Sequence, residues 1–216
     1  LPLPHVPAAI EELRRGLDQL GMIGVAMHAS CLGESIAADR FEPIFAEINA
    51  RRAALFVHPA VGGLSSPLIN EWGLAAAAGP LVEDATIALH FIVKGIPARY
   101  PNIRVIIPHL GGGVGTMLER LDNQLPLSVT GLVGKPSEIA RTFWYDTVSH
   151  GSVPALQAAV LAFGAERIVS GSDFPVLQHF EAYSETVGYV RRAGLSDKAV
   201  DQILYRNAQE LFGAVR

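Results

Sequence analysis

Apolar and polar positions alternate along the chain in two rhythms. Over residues 8–20, Ile10, Leu13, Leu17 and Leu20 recur at helical spacing, and Gly21 follows as a stop signal. Residues 24–27 then read as a strand, 41–51 as a helix, and 54–57 as a second strand running into His58-Pro59. A loop rich in Gly and Pro follows from residue 60 to about 80, and the spacing predicts a helix over 84–99. Residues 103–107 are almost purely β-branched and end at Pro108-His109. A tight turn at Gly111-Gly112-Gly113 and a helix over 117–125 come next. The pattern repeats twice more. A strand over 143–148 reaches Ser149-His150 and a helix over 153–163; a strand over 167–170 reaches Gly171-Ser172-Asp173-Phe174-Pro175. Helices over 181–193 and 197–212 close the chain.

Five strands, each followed by a helix, imply parallel βα units with right-handed crossovers in one α/β domain spanning residues 1–216. An open doubly wound sheet and a (β/α)8 TIM barrel both satisfy that count. The polar residues favour the barrel. His58, His109, His150 and Asp173 all fall just beyond the C-terminal end of a strand, the face where barrel enzymes assemble their sites. A doubly wound sheet would gather its chemistry at one switch point instead.

Composition narrows the class. Half of the 216 residues are apolar and 18% are charged, with mean hydropathy +0.29, which suits a parallel sheet buried on both faces. No apolar run reaches the ~20 residues needed to cross a bilayer. The start, Leu1-Pro2-Leu3-Pro4-His5, lacks the basic and apolar regions of a signal sequence. A single cysteine, Cys31, rules out an internal disulfide framework and fits a cytoplasmic protein. A net charge of −4 with scattered Lys and Arg argues against nucleic acid as a partner, and nothing points to a membrane.

His and Asp are ligands for zinc and related divalent ions, and three protein ligands with a water make a catalytic site. His58, His109 and Asp173 could converge at one barrel mouth although they follow different strands. By spacing alone, a surface or hydrogen-bonded core histidine explains each imidazole better than a ligand does. The run Gly111 to Gly115 could cradle a phosphate, but position 116 is Thr and the G-x-G-x-x-G spacing fails. Glycines that let the backbone turn beside a site are the better reading.

Four segments in register carry more. Phe56-Val57-His58-Pro59, Pro108-His109-Leu110-Gly111-Gly112-Gly113, Tyr145-Asp146-Thr147 and Gly171-Ser172-Asp173-Phe174-Pro175 resemble, in that order, the amidohydrolase-related family that includes aminocarboxymuconate-semialdehyde decarboxylase. The resemblance covers nearly the whole chain. It implies that His58 and Asp173 are ligands of one divalent metal, Zn or Mn. It implies that His109 is the catalytic histidine that activates water and shuttles a proton. Arg120 matches a family arginine that binds the substrate carboxylate, often across a homodimer interface; an ordinary helix-surface arginine is the other reading. His150 resembles a family position near the substrate, with a hydrogen-bonded loop histidine as its rival. Trp72 lies where the family closes over substrate, although a buried loop anchor is the preferred reading. His5, His28, His90 and His179 read as structural or surface residues.

Two departures matter. Lys94, Lys135 and Lys198 are the only lysines and none ends a strand, so a lysine-bridged binuclear site is not expected. The chain also has no His-x-His pair, which the family carries on its first strand. Matching outward from the motifs, residue 1 falls at the end of the family's third strand, so the expectation is strands four to eight of an incomplete barrel. The implied function is a metal-dependent enzyme acting on a small carboxylated cyclic or unsaturated compound. Decarboxylation is preferred, with hydrolysis of an ester, lactone or amide second. A non-catalytic binding or oligomerisation module is the reading from another class.

Overall fold

The computed structural model describes residues 1–60 and 63–213. Its centre is a parallel sheet of five strands: β1 (Gly24–His28), β2 (Ala54–His58), β3 (Arg104–Ile107), β4 (Trp144–Asp146) and β5 (Ile168–Val169). Each strand pairs with the one before it, so the order across the sheet is the order along the chain. A doubly wound sheet reverses its order at a switch point. This sheet has no reversal among the described residues, and it is the arc of a (β/α)8 barrel.

The two faces of the sheet separate cleanly by residue parity. Leu55 and Val57, Val105 and Ile107, and Tyr145 pack outward into the main core, against helices α1 (Val6–Arg14), α2 (Glu42–Ala50), α3 (Gly79–Val93), α4 (Leu118–Ser128) and α5 (Val153–Phe163). Ala54, Ile106, Trp144 and Val169 form a second, smaller cluster on the inner face, with Phe56, Leu211 and Phe212 against it. Both faces are apolar, so β3 is buried at three consecutive positions, as strands covered on two sides are. His58 shares parity with Ala54 and Phe56, and Asp146 with Trp144. Those two polar side chains therefore belong to the inner rim of the sheet.

Several element boundaries differ from the periodicity. The helix expected over 84–99 begins five residues earlier, at Gly79, because Pro80 is favoured in a first helical turn, and it stops at Lys94-Gly95, where Gly95 is left-handed. The first helix and the last, 197–212, each contain a π-helical turn, Arg15–Gln19 and Gln202–Arg206. The long loop is broken into single turns, Pro67–Asn70 and Leu74–Ala77. Val61 and Gly62 of that loop lie outside the described residues. Among the described residues no single helix is long and apolar enough to cross a membrane.

Candidate active site

The rim at the C-terminal ends of the strands gathers the side chains that can do chemistry. His28 and His58 are paired in register at the ends of β1 and β2, with ring centroids 6.3 Å apart. The His58 ring lies 6.5 Å from that of His109, which follows β3. His109 Nε2 in turn stands 3.9 Å from Asp173 Oδ2, beyond the end of β5. His109 thus neighbours both His58 and Asp173, the three residues standing at or beyond the ends of three different strands.

The local backbone is built for this. His109, His150 and Asp173 have φ of 50°, 49° and 47°, left-handed values that cost a side-chain-bearing residue about 1–3 kcal/mol each. Such strain persists only where neighbours hold it. At His109 the holder is Asp146, whose Oδ1 accepts from the His109 backbone N–H (2.8 Å) and from that of Val148 (3.0 Å). Asp146 is buried, and desolvation pushes its carboxyl up to about 6 against the opposing pull of His109. Gly171 lies so close that a β-carbon there would meet Asp146 at 2.9 Å. Below the rim, Tyr189 donates to the Thr147 carbonyl (2.6 Å), and Thr147 Oγ1 accepts from the Gly171 N–H (3.0 Å).

The glycine run after His109 is a series of left-handed turns, with φ of 76°, 59° and 88° at Gly111, Gly112 and Gly113. It makes the turn expected of it, and it does so against a flat floor. Tyr145 and Phe163 stack at 3.8 Å; a β-carbon on Gly111 would strike the first ring and one on Gly115 the second. At Gly112 a β-carbon would lie 2.0 Å from the Leu81 carbonyl oxygen in the first turn of α3. The missing side chain lets His109 sit directly over that helix.

Sequence reasoning missed what α3 contributes. Asp84 is fully buried and places Oδ2 2.7 Å from His109 Nδ1. Burial drives its carboxyl up to about 6, while the hydrogen bond and charge of His109 pull the other way. For His109, burial works against the imidazolium. The hydrogen bond to Asp84, with the charges of Asp84, Asp146 and Asp173, outweighs burial and leaves its pKa above the ordinary histidine value. Glu83, also fully buried, accepts from the Ala60 backbone N–H and so ties down the chain just after His58. A signal for Asp84 existed: Asp84, Ile87, Ala88 and Phe91 fall at i, i+3, i+4 and i+7, which puts a carboxylate on an apolar stripe.

The chemistry of the donors fits a divalent cation. His58 Nδ1 lies 2.9 Å from the Pro59 carbonyl oxygen, which can only accept, so Nδ1 carries the proton and Nε2 keeps its lone pair for a metal. His109 Nε2, 3.9 Å from Asp173 Oδ2, is placed to pass a proton to a group held at that carboxylate. Among the described residues no three His, Cys, Asp or Glu side chains converge into a complete metal cluster. The rim supplies part of a ligand set, with His58 and Asp173 on either side of His109.

A cavity of about 820 Å3 opens beside this rim and is lined by His109, His150 and Asp173 among mostly small apolar residues. His150 is exposed, with its ring edge-on to Phe180 at 5.4 Å. The remaining expected residues lie elsewhere. Arg120 is exposed on α4 and does not line the cavity. Trp72 is 91% exposed with φ 57°, so it is no buried anchor; its neighbours Gly73, Ala76 and Ala77 reach the cavity instead. Among its described residues the loop holding Trp72 contains short helical turns and no strand.

The amidohydrolase family pattern matches residues 1–214. This chain belongs to the amidohydrolase family. It is 30% identical to 6-methylsalicylic acid decarboxylase of Penicillium expansum over 80% of this chain and 53% of that protein. It is 29% identical to 2-amino-3-carboxymuconate-6-semialdehyde decarboxylase of Dictyostelium discoideum, over 81% of this chain and 49% of that one. The chain thus spans about half the length of these two relatives. Among solved structures, the dihydroxybenzoic acid decarboxylase of Polaromonas sp. JS666, with bound manganese and 2-nitroresorcinol, superposes with a TM-score of 0.84 at 22% identity. That match covers 100% of this chain and 68% of that one. The fold of this amidohydrolase chain is therefore that of the corresponding part of that protein, an incomplete barrel.

Proposed function

We propose that this amidohydrolase chain carries the active-site rim of a metal-dependent decarboxylase that acts on a small carboxylated aromatic compound. The observation that carries the reading is the row His58–His109–Asp173 across three strand ends beside an apolar cavity. Loss of CO2 is favoured over hydrolysis because the relatives quoted above are decarboxylases by name.

His58 Nε2 and Asp173 Oδ2 are the donors that would hold the cation, Mn or Zn. Bound there, it supplies a Lewis acid that draws electron density from the substrate. The protein's own residues do the rest. Small side chains along the cavity admit a flat ring and exclude water from it. His109 Nε2 faces the open side and delivers a proton to the ring carbon that bears the carboxylate. The C–C bond then breaks, its electron pair stays with the ring, and CO2 leaves. A pKa raised above the ordinary histidine value suits a group that must arrive protonated near neutral pH. His150, with Phe180 beside it, borders the far wall and contacts the substrate edge. Arg120 does not line this cavity and would meet substrate only across an interface with a second copy, as a homodimer would provide.

The experiment is a panel of carboxylated phenols, including 6-methylsalicylic acid and 2,6-dihydroxybenzoate, incubated with the manganese-loaded protein while CO2 is measured. A lactone panel read by proton release runs beside it. CO2 from an aromatic acid supports the proposal; proton release from lactones without CO2 overturns it.

A further inference from the structure

Asp84 has no part in the chemistry just described, yet it is the most completely buried partner that His109 has. We propose that Asp84 is a positioning residue. It keeps the proton of the His109 ring on Nδ1, so that Nε2, the nitrogen facing Asp173, gives and takes the working proton. This rests on the reading of His109 as the proton-transfer group.

Three observations carry it. The first is geometric: Oδ2 lies 2.7 Å from Nδ1, on the opposite side of the ring from Nε2. An ionised carboxylate has no proton to donate, so in that contact Nδ1 is the donor. The second is that the His109 backbone is fixed independently, by Asp146 and by the left-handed turn at φ 50°. With the Cα–Cβ direction set from one strand and Nδ1 held from a helix, the ring has one orientation. The third is burial. Asp84 has no exposed surface, and its Oδ1 meets no donor among the described residues. A desolvated carboxylate with one side-chain partner directs its whole acceptor strength at that nitrogen. An acid placed only for stability would be expected to satisfy both oxygens, because an unpaired buried acceptor is unfavourable.

Free histidine prefers the opposite tautomer, with the proton on Nε2, so the ring's tautomer is a direct readout. The measurement is a long-range proton–nitrogen NMR correlation of 15N-labelled, metal-free protein at about pH 9, above the histidine titration range. The wild type is expected to show His109 protonated on Nδ1. In Asp84→Asn the side-chain amide can donate to Nδ1, and the proton is expected on Nε2. In the manganese-loaded protein the same substitution is expected to lower kcat on the order of 100-fold or more with KM little changed, the range for loss of a correctly poised acid–base group.

A wild-type His109 protonated on Nε2 overturns the proposal. So does an Asp84→Asn protein that keeps the Nδ1 proton, or one that exchanges tautomer with kcat unchanged. Should Asp84→Asn fail to fold, the wild-type spectrum decides alone. An Nδ1 proton in a protein that decarboxylates nothing supports the hold of Asp84 on the ring while removing the proposed reaction, so the two claims fail separately.

Discussion

Asp84 and His109 meet at 2.7 Å between a helix and a strand end that lie 25 residues apart in sequence. The carboxylate is fully buried and the imidazole nearly so, which makes the pair one electrostatic unit. Its two members shift in ways that keep a proton in the site: burial raises Asp84, and the surrounding carboxylates raise His109.

Removing His109 therefore has a pH-dependent effect on stability. In His109→Ala the Asp84 carboxylate loses its partner, and a buried unpaired acceptor costs about 1–3 kcal/mol, more when charged. The Asp84 carboxyl, already raised to about 6 from 3.8, rises further without the imidazole. An acid whose pKa is raised in the folded state binds more protons folded than unfolded, so stability falls as pH rises through that window. The raised His109 imidazolium contributes stability at low pH that the substitution also removes, so urea denaturation is expected to show a penalty at pH 4 from the lost imidazolium and at pH 8 from the unpaired Asp84 carboxylate. A penalty at pH 4 that vanishes at pH 8 would show that the Asp84 carboxylate is not left without its partner.

Asp146 governs the backbone rather than the ring. Asp146→Ala leaves the His109 and Val148 N–H groups without their acceptor inside the protein, at about 1–3 kcal/mol each. A combined loss of about 3 kcal/mol in unfolding free energy is expected, read from the urea midpoint. A loss below about 0.5 kcal/mol, the range of ordinary surface substitutions, would mean that the strained turn is held by something else.

Neighbouring glycines should respond differently to the same change. Gly112 and Gly113 both have left-handed φ, but a β-carbon on Gly112 would collide with the Leu81 carbonyl whereas one on Gly113 meets nothing within 4 Å. Gly113→Ala is expected to cost only the backbone term, about 1–2 kcal/mol. Gly112→Ala must also push α3 away from His109 and should cost at least twice as much, with activity lost. Equal melting temperatures for the two variants would contradict the close approach.

Much of this arrangement is legible in the sequence, and the exceptions have physical reasons. The five strands and the helix Val153–Phe163 follow from β-branched runs and from 3.6-residue periodicity. His58, His109 and Asp173 stand out because each is polar just past an apolar run. Asp84 does not stand out in that way. It sits within a helix that is otherwise apolar on the same face, and only the crossing of α3 beneath the glycine turn brings it to His109. Trp72 misleads in the other direction. An aromatic in a loop suggests an anchor, but left-handed backbone at Leu64, Ser65 and Trp72 breaks the segment into turns that leave the indole in solvent.

The central claim is that His58 and Asp173 hold a divalent cation while His109, between them, does not. Manganese binding to the wild type and to His58→Ala, Asp173→Ala and His109→Ala, followed by titration with detection of the free ion, tests it most directly. The account predicts a single manganese site per chain, weakened at least tenfold by His58→Ala and by Asp173→Ala and nearly unchanged in His109→Ala. Binding that survives both of the first two substitutions, or that is lost in the third, would contradict it.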